Sequence, residues 1–243
     1  MKINTSLTEL DLQSCHIKYK GIKILSQSLD VNSSLQVLNL SDNPEIGDDG
    51  IRYLSEALKF NKGLQKLDLS SNEIYIEGAK YLFQDLKQNN TLKELNLNGN
   101  IIGDEKRNNL SYLSEVLKVN SSLTQLYLSS NGIGVAGIQS LSEGLKKNST
   151  LLNLRLNTNY IGDEGAKSLS EALKNNNILS LLTLDDTSIG ERGIQDLIEA
   201  LENNTSLVEL SVYNRNVDIN LIKKIGSLLE RNRKLHSKEY YYF

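Results

Sequence analysis

Leu7-Thr8-Glu9-Leu10-Asp11-Leu12-Gln13-Ser14-Cys15-His16-Ile17 is answered, 28 residues on, by Leu35-Gln36-Val37-Leu38-Asn39-Leu40-Ser41-Asp42-Asn43. The pattern returns from Leu64, Leu92, Leu123, Leu151, Leu179 and Leu207, at spacings of 29, 28, 31, 28, 28 and 28 residues. A fixed period of this size marks a solenoid, in which each unit buries its apolar face only by stacking on its neighbours. The chain therefore reads as one solenoid over residues 1–243, built from eight repeats of 28–31 residues, with residues 233–243 as a terminal tail or cap.

The sixth unit shows what one repeat is. In Leu151-Leu152-Asn153-Leu154-Arg155-Leu156, leucines alternate with polar residues, which predicts a short strand with one face buried. Gly162-Asp163-Glu164-Gly165 opens a helix, with acids at the positive end of its dipole. Ala166, Leu169, Ala172 and Leu173 then form a helical apolar stripe, and Lys174-Asn175-Asn176-Asn177 reads as a basic, Asn-rich helix end. A strand followed by a helix and another strand requires a parallel sheet with right-handed crossovers. Strands sit about 4.8 Å apart and helices about 8–10 Å apart, so the stack must bend with strands inside. The expected fold is an α/β right-handed superhelix, a horseshoe with a parallel concave sheet inside and helices outside. Each buried leucine contributes roughly 1.5–3 kcal/mol against chain entropy, too little for one unit alone.

Asn43, Asn72, Asn100, Asn131 and Asn159 recur where the strand turns toward the helix. An inward amide there can satisfy both a donor and an acceptor of the buried backbone. Cys15, Thr187 and Arg215 fill the equivalent slots, so Cys15 reads as a ladder residue and Arg215 predicts a distorted last repeat. Three extra residues around Glu105–Asn109 lengthen the fourth unit, as a bulge or a protruding contact loop. The aromatic run Tyr240-Tyr241-Tyr242-Phe243 reads as a cover for the last repeat or as a contact segment.

These units resemble leucine-rich repeats of the ribonuclease-inhibitor class, in which L-x-x-L-x-L-x-x-N/C-x-I precedes G-x-x-G and a full helix. The resemblance covers about residues 3–232. It is strongest to the repeats of NOD-like receptors and of the Ran GTPase-activating protein, and it implies binding of proteins along the concave sheet. It leaves two other roles open, a GTPase activator of the Ran type and the ligand-sensing part of a NOD-like receptor, and the Asn- and Lys-rich, Trp-free composition adds a third, a host-directed bacterial effector. The basic, aromatic end departs from the acidic tail of the Ran activator, and the cysteine-rich repeats of the ribonuclease inhibitor are not matched.

A net charge of −3 argues against a broad nucleic-acid footprint. The one cysteine permits no internal disulfide, and no apolar run reaches the roughly 18 residues of a membrane span. With no apolar leader before the first repeat, a cytoplasmic monomer is expected. Asn-x-Ser/Thr triplets at Asn32, Asn120 and Asn204 fall at one repeated loop position and read as turn chemistry, not as glycan acceptors.

Catalytic, cofactor and metal sites are not expected. Gly132-Ile133-Gly134-Val135-Ala136-Gly137 has the form of a dinucleotide fingerprint, but Gly134 and Gly137 belong to the repeat. His16 and His236 lie at opposite ends of the stack. The paired acids Asp48-Asp49 and Asp163-Glu164 sit at helix starts, where the dipole accounts for them.

The outward strand positions form three columns. One runs Glu9, Val37, Lys66, Glu94, Gln125, Asn153, Leu181, Glu209, and the next runs Asp11, Asn39, Asp68, Asn96, Tyr127, Arg155, Thr183, Ser211. The third runs Gln13, Ser41, Ser70, Asn98, Ser129, Asn157, Asp185, Tyr213. The C-terminal half carries the residue types that anchor protein interfaces, although β propensity alone also favours tyrosine. The expected partner-binding residues are Gln125, Tyr127, Asn153, Arg155, Leu181, Asp185 and Tyr213, and the expected partner is a protein.

Overall fold

The computed structural model describes residues 4–103, 110–213 and 217–239. Eight three-residue strands alternate with helices: β1 Glu9–Asp11, α1 Tyr19–Leu29, β2 Val37–Asn39, α2 Gly47–Phe60, β3 Lys66–Asp68 and α3 Ile76–Leu86. Then follow β4 Glu94–Asn96, α4 Ser111–Val119, β5 Gln125–Tyr127, α5 Val135–Leu145, β6 Asn153–Arg155 and α6 Gly162–Leu173. The stack ends with β7 Leu181–Thr183, α7 Glu191–Asn203, β8 Glu209–Ser211 and α8 Ile219–Glu239. The strands form one parallel sheet in sequence order, β1 to β8. This is the leucine-rich repeat horseshoe, with the sheet as its inner layer.

The leucines explain the layering. From β2 to β8 the middle residue of each strand is buried, while its two neighbours face outward to varying degrees. Each helix turns its apolar stripe onto the sheet; in α6 the buried residues include Gly165, Ala166, Leu169, Ala172 and Leu173. Most helices place a serine after the central leucine, where neighbours pack closely. In α3 that place holds Phe83, fully buried, whose ring stacks on Tyr112 of α4 at 5.9 Å.

The asparagine ladder binds adjacent repeats. Asn100 Nδ2 donates to Leu69 O and Leu97 O, both at 2.9 Å, and its Oδ1 accepts from the backbone N–H of Asn72 and Ile74, both at 3.0 Å. Asn159 serves Asn131, Ile133, Leu128 and Leu156 in the same way. Thr187 keeps part of the role, its hydroxyl donating to Leu184 O at 2.5 Å. Cys15 donates to Gln13 O at 3.3 Å; standing in the first repeat, it is exposed. Arg215 and the lengthened segment around Glu105–Asn109 lie outside the described residues.

A second asparagine ladder runs along the other edge. Asn176, expected as part of a helix end, is buried: its Nδ2 donates to Leu145 O and Asn148 O, and its Oδ1 accepts from Ile178 N and Leu179 N. Asn61, Asn120 and Asn204 bridge repeats in the same manner. The Asn-x-Ser/Thr triplets are therefore built around amides already used inside the fold.

The acids at helix starts also reach across repeats. Neither α3 nor α7 has a side-chain cap from its own residues. Instead Asp48 Oδ1 accepts from Tyr75 N at 2.7 Å, and Asp163 Oδ1 accepts from Gly190 N at 2.7 Å and Gly193 N at 3.0 Å. Dipole compensation is thus supplemented by capping of the next repeat's helix. Burial holds Asp48 above the ordinary carboxylate range, against the pull of its bonds from Tyr75 and Gly78. Its protonated form is favoured in the fold, so that contribution is complete below the ordinary pKa of about 4 and is lost as the pH rises through the raised value. Asp48→Asn keeps an acceptor oxygen without the charge. In thermal unfolding it should gain on the wild type between pH 4 and pH 7; a constant gap would contradict the raised pKa.

Candidate functional site

Strand pairing aligns the outward columns. Gln125 lies beside Asn153, and Tyr127 beside Arg155. Asn153 lies beside Leu181, and Arg155 beside Thr183. Leu181 in turn lies beside Glu209. The expected residues of β5 to β7 therefore share one patch on the sheet face. At about 4.8 Å per strand, β5 and β8 are separated by roughly 14 Å, which one partner segment can span.

Within the patch Tyr127 is the organising residue. Its hydroxyl donates to Gln125 Oε1 at 2.5 Å, and the Arg155 guanidinium lies 4.7 Å from its ring centre. The strand places both side chains on the same side in adjacent positions, so the cation settles on the ring face. Burial, followed by the nearby Glu94, raises the Tyr127 phenol above its ordinary value, while Arg155 opposes the rise. The phenol stays neutral at physiological pH and can donate a hydrogen bond.

Asp185 and Tyr213 lie past the strand ends. The Asp185 carboxylate accepts the Ser211 hydroxyl at 2.7 and 2.6 Å and Tyr213 N at 2.8 Å. Asp185 thus holds the backbone that presents Tyr213, which is 61% exposed. Asn157 Oδ1 takes Asp185 N at 2.9 Å, which ties the sixth repeat into the same arrangement.

The N-terminal half of the face is more self-contained. Lys66 pairs with Glu94 at 3.1 Å, and this contact holds the Lys66 ammonium above its ordinary pKa. Asn96 Nδ2 donates to Asp68 Oδ2 at 2.8 Å, and the other Asp68 oxygen accepts from Ser70 N and Ser70 Oγ. A depression of about 360 Å³ at the helix-start edge is lined by Tyr19, Glu45, Asp48, Asp49, Glu73 and Tyr75. Two of its acids are engaged, Asp48 in capping and Glu45 with Lys18 at 2.6 Å.

Among the described residues no cluster of histidine, cysteine and carboxylate side chains is placed to hold a metal ion. None of the described helices is long and apolar enough to cross a membrane.

Six stretches, residues 4–26, 31–55, 60–83, 88–105, 119–142 and 147–170, match the family described as Leucine Rich repeat. No curated protein sequence gives a significant match. Among solved structures, this chain is similar to "Leiomodin-1 Actin-Binding Site 2 (ABS2)" at 22% identity and a TM-score of 0.59, over 65% of this chain and 91% of that one. It is also similar to the tropomodulin C-terminal domain of Caenorhabditis elegans at 15% identity and a TM-score of 0.41, over 92% and 98% of the two chains. The leiomodin-1 likeness is one of fold. The family match covers more than half of the residues, and the eight-stranded register carries the same unit through β7 and β8. The chain belongs to the leucine-rich repeat family.

Proposed function

We propose that this chain is a non-catalytic scaffold that binds a protein partner on its concave sheet, through Gln125, Tyr127, Asn153, Arg155, Leu181, Asp185 and Tyr213. The observation that carries the reading is the Tyr127–Arg155 pair, set on the open face where packing requires neither residue. Aromatic and arginine side chains dominate binding energy at protein interfaces, and here a leucine and a second tyrosine extend the patch. Asp185 supports the site by fixing the Tyr213 backbone. The scaffold acts as a cytosolic monomer.

The test is capture of the native partner from cytosol, identified by mass spectrometry, with wild type and with Tyr127→Ala/Arg155→Ala/Tyr213→Ala. Hot-spot truncations cost about 2 kcal/mol or more each, so the triple variant should bind more than about 100-fold more weakly. Its thermal midpoint should fall by no more than about 5 °C, because none of the three side chains belongs to the leucine core. Capture that survives the triple substitution would refute the mapping. Purified actin is a defined protein to try first, because the similar leiomodin-1 fragment is an actin-binding site. GTP hydrolysis by Ran should not accelerate in the presence of this chain.

A further inference from the structure

We propose that the Arg155 patch takes a partner segment carrying a carboxylate beside an apolar side chain, the carboxylate on the Arg155 guanidinium and the apolar group against Leu181. This inference rests on the concave-face reading above and specifies its chemistry.

Lys66 and Arg155 are the cations within the eight strands. Lys66 is neutralised by Glu94. Arg155 has no acidic partner among the described residues, and its guanidinium is instead laid against the Tyr127 ring. The ring is itself fixed through Gln125, so the planar fork is positioned before a partner arrives. A guanidinium over an aromatic face keeps N–H groups free at its edge, and these can receive a carboxylate through two parallel hydrogen bonds. An amine in the same place would be repelled.

The neighbours define the rest of the segment. Leu181, beside Asn153 and one strand over from Arg155, is an apolar residue in a mostly polar column. Glu209 follows on the next strand, so a second carboxylate placed beyond Leu181 would meet like charge. The order across the sheet is therefore acid over β6, apolar group over β7, and a neutral or basic group over β8.

Unused hydrogen-bonding capacity gathers at the same place. Asn153 Oδ1 and Thr183 Oγ1 are the strand atoms, among the described residues, that are buried without a partner. Asn153 lies two residues before Arg155 on β6, and Thr183 is the register neighbour of Arg155. Both atoms are closed to solvent in the free protein, so they bond a ligand only once a bound segment has turned their side chains outward.

Selection of phage-displayed random dodecapeptides on the full chain, followed by affinity measurement with synthetic peptides, tests this. Wild type should enrich Asp or Glu adjacent to Leu, Ile, Val or Phe. Such a peptide should bind Arg155→Gln at least about tenfold more weakly, with Arg155→Lys intermediate because it keeps charge and loses the fork. Selection on Arg155→Glu should replace the acid by Lys or Arg. Circular dichroism melts confirm that each variant is folded. Acidic peptides that bind Arg155→Gln as well as wild type would overturn the proposal. Enriched peptides without an acid that are lost with Tyr127→Ala/Tyr213→Ala would overturn it while leaving the concave-face reading standing. Peptides that survive every concave substitution would overturn both.

Discussion

Asn100→Ala is expected to destabilise the protein by about 3–5 kcal/mol, while Asn131→Ala, at the neighbouring rung, should cost only about half as much. Asn100 makes hydrogen bonds through both ends of its amide, three given (the one to Asn98 O long, at 3.4 Å) and two received, each good one contributing roughly 1 kcal/mol. Truncation also leaves the Asn72 and Ile74 N–H groups buried without an acceptor, which adds a desolvation penalty. Asn131 donates to Leu97 O at 2.9 Å and Ser129 O at 3.0 Å, but its buried Oδ1 has no partner among the described residues. Alanine there removes two bonds and frees no donor. Urea unfolding of both variants decides the matter, and equal costs would mean that the ladder's acceptor side adds nothing.

Arg231→Ala/Asn232→Ala should cost about 3 kcal/mol and loosen the C-terminal repeats first. The last carbonyls of a helix have no partner within it. Arg231 takes three carbonyls near the end of α7, Leu201 and Asn204 from Nη2 and Glu202 from Nη1. Its positive charge also sits at the negative end of that helix dipole. Asn232 donates to Asn204 O at 3.0 Å and Leu207 O at 2.7 Å, completing the second ladder from within α8. His236 Nε2 lies 3.1 Å from Thr205 O, one helical turn further on. Hydrogen exchange should therefore quicken in β7, α7 and β8 while α2 and β3 keep their protection. Uniform acceleration along the chain would contradict a local cap. Residues 233–239 continue α8, and the Tyr240–Phe243 run lies outside the described residues.

The strands and their register were legible because leucine spacing encodes both: a period of two within each strand and 28 to 31 residues between strands. The three outward columns follow from that register, which is why Tyr127 and Arg155 could be paired from sequence. The second ladder was legible too, since Asn32, Asn61, Asn89, Asn120, Asn148, Asn176, Asn204 and Asn232 keep the same intervals as the leucines. Local propensity obscured it, because asparagine after a basic helix end already has a sufficient explanation as a cap. The reach of Asp48 to Tyr75 and of Asp163 to Gly190 was hidden for a similar reason. An acid in the first turn satisfies its own helix dipole, and nothing in the local sequence points 27 residues ahead. The inward engagement of Asp185 depends on side-chain direction past the strand end, which alternation does not encode.

The most direct measurement of partner binding on the concave face is site-specific photo-crosslinking. Benzoylphenylalanine is placed at Ser129 or Glu209 on the inner layer, beside the proposed anchors, and at Ile24 or Tyr81 on the outer helical layer, where both are exposed. Adducts with the captured protein should form from Ser129 and Glu209 and not from Ile24 or Tyr81. Adducts confined to the helical positions would contradict a partner seated in the hollow of the sheet.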